Sequence, residues 1–589
     1  MRPPKNSWPK TLGGRGALFF AQQMREMLSP QTFESFRALS LDTLARLDEA
    51  VAVVEDVRLN RVPRPALEPI WGELVWSLTD DPIAESLAGS HIDLIMEQNS
   101  NQKLPLVDIS HNLIYLRKIL SKSHKEKLEK TILNVFSDDK KRIQLRRATS
   151  SYCSFLINSG YSKSYINQIV DQLFFNKNII RVRTEMINSF FRRFDCEKKS
   201  FVIYAIVDYD FGRYLSRIGY DISFRLGDLP LHVGRGLAPL LLTGHTSAFL
   251  MCREEAHDQY SAANQVQQKL SSIKALTFLG PHGMPCGWAN EMYVHRLRAQ
   301  QGIIVKISYE TSFHTGAVKK TAGRALKEVH QYSRKILSSF TNDSTERLLS
   351  SISTSALARA SSNPENQLIS LWSAVEVLLS EPERETARIV HYARLLIPCI
   401  CLKYIRRQTI AVFDEMLVSY RRKFSGIVSG EPFVSGTDQH TKFAAILYLP
   451  ANANLRQDLC DLCAENPLAL HRLWKLHHEY GTPKSVSVHL DAHQKRVEWQ
   501  LHRIYRARNN LVHAGRVPSF LDSLILNAFE YYRAAVATIV AHARKDESQS
   551  DIDQVVSELG VEYKVYMNFA NNIRKNNVLS LEDVLRLAK

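Results

Sequence analysis

Most of this chain carries apolar residues at the three-to-four spacing of an amphipathic helix, and one short central segment breaks that pattern. Leu41, Leu44 and Leu47 follow the helical spacing, whereas residues 201–207 (FVIYAIV) form a continuous apolar run. Such a short run of β-branched and aromatic residues, bounded by charged ones, is typical of a buried strand. The sequence therefore predicts a mainly α fold with a central mixed α/β domain.

Further segments extend this central domain. Residues 248–252 and 303–309 are predicted strands, with a helix over 261–276 between them and another over 317–337 after them. The next stretch, 338–364, is rich in Ser, Thr and Asn, which predicts a helix end followed by a linker. We place the last domain boundary in that linker.

The charge of the chain favours a polyanionic partner. Its 76 Lys and Arg against 60 Asp and Glu give a formal net charge of +16, so nucleic acid is the leading class of partner. Residues 103–199 hold 20 basic and 9 acidic residues and carry most of this excess. Two interpretations stay open, because a basic helical segment can be either a binding surface for nucleic acid or an ordinary solvent-exposed surface.

Cysteine usage and hydropathy predict a cytoplasmic protein outside the membrane. The eight cysteines are scattered, which suits reduced thiols better than a disulfide framework. The apolar residues 17–21 are too few for the core of a signal peptide. The longest apolar run, 395–402, contains Pro398 and falls far short of the roughly 20 residues that span a bilayer.

The segment 497–515 (VEWQLHRIYRARNNLVHAG) combines a helical pattern with the side chains of an active site. Its apolar stripe at helical spacing consists of Val497, Leu501, Ile504, Leu511 and Val512. Arg508 falls on this stripe, so its guanidinium is directed into a core or an interface. A buried guanidinium needs a partner. We therefore expect an anionic group to meet Arg508.

Three side chains of this segment can converge on one groove near its end. Asn509 and His513 are four residues apart and share one helix face, and Arg508 lies about 100° round from Asn509. Gly515 predicts a helix stop, which places His513 in the last turn, where the helix dipole favours a protonated imidazole. A histidine in that position suits acid and base catalysis near neutral pH.

This set of side chains matches the needs of RNA cleavage without a cofactor. The reaction requires a base for the 2′-OH proton, an acid for the 5′-oxygen and positive charge at the phosphorane. Arg508 and His513 supply these groups, and Asn509 can orient the imidazole or the phosphate. One helix offers a single Arg and a single His, so two helices facing each other in a homodimer would complete the set.

A family resemblance appears at the same residues. The stretch from Arg508 to His513 (RNNLVH) resembles the HEPN signature, in which Arg and a polar residue precede His after four to six intervening positions. Residues 366–379 resemble the early, Glu-containing helix of ApeA-like and abortive-infection HEPN domains, and residues 526–541 resemble their closing helix. Together these segments cover roughly 364–544, about a third of the chain.

The resemblance implies a fold, an activity and partners. It implies a helical bundle that dimerises through its motif helices and a metal-independent endoribonuclease that leaves a cyclic phosphate. By resemblance Arg508 and His513 are catalytic and Asn509 assists them. Glu376 is a supporting residue that holds Arg508 or an RNA group, and Arg506 ranks second to Arg508 as the motif arginine. The implied substrate is RNA, such as tRNA or mRNA, and the implied role is anti-phage defence released by a phage-derived trigger.

Other interpretations compete with this one. The bundle can be a catalytically silent module for dimerisation or nucleic-acid binding, with Arg508 and Glu376 as a structural ion pair. A metal-dependent nuclease is a third possibility, because Cys460 and Cys463 have zinc-knuckle spacing and three histidines, His471, His477 and His478, follow them. The surrounding leucines favour core cysteines and surface histidines instead.

A chain of this length is too long for a single core, and the segments above predict four regions. The predicted regions are a helical N-terminal region (1–120), a basic helical segment with a small α/β domain (121–345), a HEPN-like helical nuclease domain (346–545) and an appended helical tail (546–589). We expect the second region to act as a sensor or to handle substrate.

Overall fold

The computed structural model shows a mainly helical protein with one small antiparallel sheet, so the predicted fold class is confirmed at this level. The described residues are 8–29, 41–100, 104–176, 182–217, 225–226, 247–277, 286–299, 301–307, 322–361, 363–382, 387–543 and 549–588. The chain forms two compact units. Unit 1 comprises residues 1–154, 177–184 and 312–589, and unit 2 comprises residues 155–176 and 185–311.

The N-terminal part of unit 1 is a run of helices. They are α1 (Leu12–Met27), α2 (Thr43–Arg58), α3 (Leu67–Asp80), α4 (Ala84–Ala88), α5 (Ser90–Ser100), α6 (Leu106–Ser121), α7 (His124–Val135) and α8 (Arg142–Asn158), with short 3-10 helices at Arg64–Ala66 and Asp139–Lys141. Residues 155–158 of α8 belong to unit 2. Asp42 caps α2 by accepting a hydrogen bond from the backbone N–H of Ala45 at 2.8 Å. Helix α2 packs against both α3 and α6.

Unit 2 is built around an antiparallel sheet. Its described strands are β1 (Lys199–Asp208), β2 (Arg225–Leu226), β3 (Ser247–Ala256), β4 (Trp288–Arg296) and β5 (Ile303–Lys306), in the order β2-β3-β1-β4-β5. The three strands predicted at 201–207, 248–252 and 303–309 are confirmed, although residues 308 and 309 lie outside the described residues. The remaining helices of this unit are α9 (Lys163–Val170), α10 (Met186–Phe191), α11 (Tyr209–Arg217) and α12 (Gln259–Leu276), with a π-helical turn at Asp171–Phe175.

Strand β4 is absent from the sequence prediction although it lies next to the central strand β1. Its Tyr293 stands opposite Tyr204 of β1. The residues Asn290, Glu291 and His295 interrupt its apolar pattern, so neither alternation nor a continuous apolar run identifies it. Helix α12, which is confirmed, covers one face of the sheet with Ala262, Ala263, Val266 and Leu270.

The C-terminal part of unit 1 is entirely helical within its described residues. It consists of α13 (Ala322–Ser339), α14 (Asn342–Ala360), α15 (Pro364–Leu378), α16 (Arg388–Cys401), α17 (Tyr404–Ser429), α18 (Gln439–Tyr448), α19 (Ala453–Leu462), α20 (Pro467–Tyr480), α21 (Pro483–Ala514), α22 (Leu521–His542), α23 (Ile552–Ile573) and α24 (Leu581–Ala588), with a 3-10 helix at Pro450–Asn452. The helix predicted at 317–337 is confirmed from Ala322 onwards, and residues 317–321 lie outside the described residues.

The predicted linker at 338–364 is wrong, because most of it is α14. Its small residues serve close packing rather than flexibility. Ser351 is fully buried, donates a hydrogen bond to the carbonyl of Ala374 at 2.6 Å and shares another with the Tyr532 hydroxyl at 2.9 Å. A small side chain lets α14 lie close to α15, so this Ser-rich composition marks a helix contact. The domain boundary predicted at 346 falls inside this helix.

One hydrophobic core joins these C-terminal helices. Trp372 of α15, Tyr404 of α17 and Leu501 of α21 are buried in it. Residues 546–589, predicted as an appended helical tail, form α23 and α24 where described, and Leu559 and Leu587 of these helices belong to the same core.

Helix α22 is the one described helix that is long and apolar enough to cross a membrane. More than half of its most apolar window is buried within the protein, and Leu524 and Ile539 are part of the core. A core helix of a bundle passes the same test of length and composition. The predicted cytoplasmic location stays a prediction.

A buried cluster of charges ties α2 and α3 to α21. Arg503 donates to Glu49 at 2.7 Å and to Glu73 at 2.5 Å, and Arg506 donates to Glu49 at 2.5 Å. Arg46 completes the cluster by donating to Glu73 at 3.0 Å. Burial by itself would raise the pKa of Glu49, but the charges of Arg503 and Arg506 outweigh it and lower that pKa to about 2. The N-terminal helices therefore fix the position of α21.

Candidate active site

Helix α21 carries the predicted motif, and its boundaries follow from local sequence. Thr482 caps its start by accepting from the N–H of Ser485, and Pro483 occupies the first turn, where its missing N–H costs nothing. At the other end Gly515 adopts the left-handed conformation, with φ of 60°, and its N–H donates to the carbonyl of Leu511. The predicted helix stop is confirmed, and His513 lies in the last turn.

Arg508 meets the anionic partner that the apolar stripe predicts. Its Nη2 donates to Oε2 of Glu376 at 3.1 Å, and its Nη1 donates to Oδ1 of the neighbouring Asn509 at 3.0 Å. The Arg508 and Glu376 side chains are only 20% and 22% exposed. The structure therefore brings Arg508, Asn509 and Glu376 together across α21 and α15.

Glu376 is itself held in place. Its Oε1 accepts a hydrogen bond from Nε1 of Trp372, four residues earlier on α15, at 3.0 Å. The Trp372 ring packs against the rings of Tyr392 and Tyr505, with centroids 6.1 and 5.4 Å away. Burial, with the negative charge of Glu376 as the next cause, raises the pKa of Tyr392. Trp372 is not among the predicted site residues, although the i, i+4 spacing of Trp372 and Glu376 indicates that their side chains can meet.

The guanidinium of Arg508 is not fully satisfied by these contacts. Its Nε is buried and has no hydrogen-bond acceptor among the described residues. Glu376 and Asn509 thus fix the direction of the group, and because each Nη carries two N–H donors, one donor of each Nη remains for a further acceptor. An arginine oriented in this way can present paired donors to a phosphate.

His513 lies apart from this cluster in a single chain. The residue is exposed, and no hydrogen bond within the described structure joins it to Arg508, Asn509 or Glu376. Val512 is 47% exposed, so its place on the predicted buried stripe is wrong, because the last turn of α21 extends beyond the core. The stripe consists of Val497, Leu501, Ile504 and Leu511, which are all buried.

Arg506 occupies a different environment from Arg508. Two residues along a helix are about 200° apart, so the side chains point in nearly opposite directions. Arg506 donates to Glu49 and is only 11% exposed. The structure places it in the buried charge cluster. Sequence reasoning had no way to find this partner, because Glu49 is 457 residues away.

The cysteines and histidines of the metal-dependent alternative do not converge. No group of three potential metal ligands occurs among the described residues, which include all five of these side chains. The Cys463 thiol contacts Sδ of Met416 at 3.7 Å, and burial raises its pKa to about 12. His477 donates from Nδ1 to the carbonyl of Leu447 at 2.7 Å, and His478 stacks on Trp474.

The basic segment 103–199 divides between the two units. Several of its cations pair with carboxylates. These pairs are Arg117 with Asp48, Arg147 with Asp80, Lys125 with Glu129 and Lys199 with Asp195. Local pairing reduces the positive charge that this segment can offer to a nucleic acid.

The described site has the chemical parts for acid and base catalysis on a phosphodiester. An oriented guanidinium lies near the end of α21, and an exposed imidazole lies about one turn further on. Comparison of the chain with protein-family models, with curated proteins and with solved structures gave no match.

Proposed function

We propose that this protein is a metal-independent endoribonuclease with a HEPN-like C-terminal bundle, acting as a homodimer on RNA. Arg508, Asn509 and His513 are its catalytic residues. Glu376 is a positioning residue, because it touches Arg508 rather than the reacting atoms. Arg506 supports the site only indirectly, through its contact with Glu49.

One observation carries this proposal: Glu376 and Asn509 orient a partly buried arginine on the same helix whose last turn carries an exposed histidine. Each Nη of Arg508 keeps one N–H donor beyond these contacts, and the exposed histidine is accessible to substrate.

The reaction is transesterification at a phosphodiester of RNA. One imidazole accepts the 2′-OH proton while the 2′-oxygen attacks phosphorus and the bond to the 5′-oxygen breaks. A protonated imidazole gives its proton to the leaving 5′-oxygen, and Arg508 stabilises the negative charge of the phosphorane. The products are a 2′,3′-cyclic phosphate and a 5′-hydroxyl, so atoms and protons balance without water.

One chain offers a single His513, whereas the reaction needs a base and an acid. Two motif helices facing each other across a homodimer supply two histidines and two arginines. The exposure of His513 and Val512 at the end of α21 is compatible with such an interface. A stable monomer should therefore be inactive.

The proposed biological role is anti-phage defence by abortive infection, with tRNA or mRNA as the target and a phage-derived trigger. It rests on analogy with HEPN proteins that carry large N-terminal extensions. In this protein the N-terminal helices α2 and α3 contact the motif helix through Glu49 and Glu73. A conformational change in α2 or α3 can therefore alter the position of α21 through these ion pairs.

A second candidate is a non-catalytic HEPN-like module for dimerisation or nucleic-acid binding. The ion pair between Arg508 and Glu376 favours it, because buried charge pairs are often structural. In that case loss of Arg508 would lower stability without removing any activity.

The test is incubation of total RNA with the full chain in EDTA. We expect cleavage with 2′,3′-cyclic phosphate ends that is lost in Arg508→Ala and in His513→Ala. Matched controls are Arg533→Ala, an exposed arginine paired with Glu530, and His330→Ala, an exposed histidine of α13. Both controls should cleave like the wild type.

Three results would contradict the proposal: activity that disappears with the chelator, cleavage that survives both motif substitutions, or controls that fail equally. Because the enzyme is proposed to await a trigger, a bacterial toxicity assay accompanies the cleavage assay. Overexpression of the wild type should arrest growth, and His513→Ala should abolish that arrest while His330→Ala does not.

A further inference from the structure

Tyr505 lies on the motif helix α21 beside the side chains proposed to bind RNA. It precedes Arg508 by three positions and Asn509 by four, and residues at these spacings are neighbours on the surface of a helix. Long side chains of a helix lean towards its N-terminus. The side chain of Arg508 is therefore directed over the turn of α21 that carries Tyr505.

Two successive contacts join α15 and α21 at this level. The ring of Tyr505 packs against that of Trp372, with centroids 5.4 Å apart, and about one turn further on Arg508 donates to Glu376 at 3.1 Å. Trp372 and Glu376 are themselves joined by a hydrogen bond of 3.0 Å. One linked pair of α15 side chains therefore holds both Tyr505 and Arg508, which fixes them next to each other.

The two ends of the Tyr505 side chain have different surroundings. Its ring is partly buried and packs against the hydrophobic core of unit 1. Its hydroxyl is not buried and forms no hydrogen bond within the described part of the chain. Other tyrosines of the same core are paired, since Tyr532 shares a hydrogen bond with Ser351 at 2.9 Å and Tyr563 donates to Gln494 at 2.9 Å. A packed ring with an accessible, unpaired hydroxyl keeps a hydrogen-bond donor in a fixed place.

A phosphodiester is the acceptor that suits this donor. Arg508 keeps one N–H on each Nη beyond its contacts with Glu376 and Asn509. Tyr505 adds an uncharged donor about 4.5 Å back along the helix axis, which is the rise of three residues. Phosphate oxygens in nucleic-acid complexes accept hydrogen bonds from both arginine and tyrosine side chains. Because Glu376 offsets the charge of Arg508, phosphate binding here depends on hydrogen bonds as well as on charge.

We propose that Tyr505 is a substrate-binding residue whose hydroxyl donates a hydrogen bond to a phosphate oxygen of the RNA held by Arg508. This inference rests on the proposed nuclease function and adds to it a residue outside the motif of residues 508–513. A phosphate contact carries no sequence information, so Tyr505 positions the RNA backbone and does not select a base. The contact is made before the reaction starts and therefore strengthens binding without accelerating the chemical step.

The test is Tyr505→Phe in the full-length protein. Phenylalanine keeps the ring against Trp372 and removes only a hydroxyl that has no partner among the described residues, so the midpoint of thermal unfolding should stay at the wild-type value. The probes are 2′-O-methylated oligo(A) and oligo(U), which cannot be cleaved at the 2′ position, so binding is measured without nuclease activity. We expect Tyr505→Phe to weaken the binding of both probes about fivefold. On cleavable RNA the variant should raise KM by a similar factor and leave kcat nearly unchanged.

Two comparisons show whether the effect belongs to this hydroxyl. Tyr115→Phe is the matched control, because Tyr115 of α6 is 50% exposed and loses a hydroxyl in the same way. It should change neither binding nor KM. Salt gives the second comparison: a hydroxyl releases no counter-ions, so the weakening in Tyr505→Phe should be equal at low and at physiological salt. Arg508→Ala removes a charge, so RNA binding by that variant should depend less steeply on salt than binding by the wild type.

The outcomes separate this inference from the nuclease function. RNA binding and cleavage by the wild type, with unchanged affinity in Tyr505→Phe, would overturn the role of Tyr505 and leave the nuclease function standing. Weakening confined to oligo(A) or to oligo(U) would identify a base contact and overturn the phosphate contact. Weaker binding together with a lowered midpoint of thermal unfolding would assign the hydroxyl a structural role. A wild type that neither binds nor cleaves RNA would overturn the nuclease function and this inference with it.

Discussion

Glu49 is the carboxylate on which the attachment of the motif helix most depends, and Glu49→Gln tests that dependence. The substitution keeps the shape of the side chain and removes its charge. Glu49 is 8% exposed at its side chain and accepts hydrogen bonds from both Arg503 and Arg506. In the variant Arg506 loses its carboxylate and Arg503 retains only Glu73.

The size of the effect follows from the pKa. The pKa of Glu49 falls from 4.5 to about 2 in the folded protein, which corresponds to about 3 kcal/mol of stabilisation at 1.36 kcal/mol per tenfold change in proton affinity. Breaking a buried ion pair by removing one partner costs a similar amount, about 3 to 5 kcal/mol. We therefore expect Glu49→Gln to lower the free energy of unfolding of unit 1 by about 3 kcal/mol.

The assay is urea denaturation of the full chain followed by far-UV circular dichroism. Glu55→Gln is the matched control, because Glu55 lies on the same helix α2 and forms only an exposed pair with Arg58. The control should unfold at nearly the wild-type urea concentration. Equal midpoints for the two variants would refute the assignment of a stabilising role to the cluster.

The lowered pKa of Glu49 predicts how the free energy of unfolding depends on pH. The folded pKa lies below the ordinary value, so the stabilisation is fully present above pH 4.5 and is lost as the pH falls towards 2. The difference in stability between wild type and Glu49→Gln should therefore shrink between pH 5 and pH 3. A difference that stays constant over this range would contradict the pKa assignment.

Four further predictions concern the site and its surroundings. Gly515→Val should destabilise the end of α21 by about 1 to 2 kcal/mol in thermal unfolding, whereas Gly515→Asn should be tolerated, because Asn adopts positive φ more easily. Glu376→Gln should lower kcat on RNA about tenfold at nearly constant KM, since it frees Arg508 without touching substrate; an unchanged kcat would exclude a positioning role. Ser351→Val should cost about 1 to 3 kcal/mol, against little change for the exposed neighbour Ser350→Val. RNA cleavage per protomer should fall on dilution below the dissociation constant of the dimer, and a constant value would show that one chain suffices.

The sequence predicted the local features of the site because they depend on near neighbours along α21. An arginine at a position that periodicity assigns to the core requires a carboxylate, and Glu376 is that carboxylate. The glycine stop at Gly515 likewise follows from backbone conformation alone. The need for an anionic partner of Arg508 and the end of α21 were therefore predictable without knowledge of tertiary structure, whereas Glu376 lies 132 residues away and was named through the family resemblance.

The failures have equally specific causes. Helix α14 was predicted as a linker because Ser and Ala suit both flexible chains and close helix contacts, and only the neighbouring helix distinguishes the two. Val512 was assigned to the buried stripe because periodicity does not show where the core ends. The partners of Arg503 and Arg506 lie more than 400 residues away, so no local pattern could reveal them.

Helix α21 is fixed at two neighbouring points on different sides. Arg503 is bound by the carboxylates of α2 and α3, and Arg508, five residues later, is bound by Glu376 of α15. Inserting or deleting one residue between them would rotate one anchor by about 100° relative to the other. The number of residues between Arg503 and Arg508 is therefore constrained in addition to the buried packing of Ile504 and the ion pair of Arg506, so a change in length here should displace one anchor whatever residue is inserted.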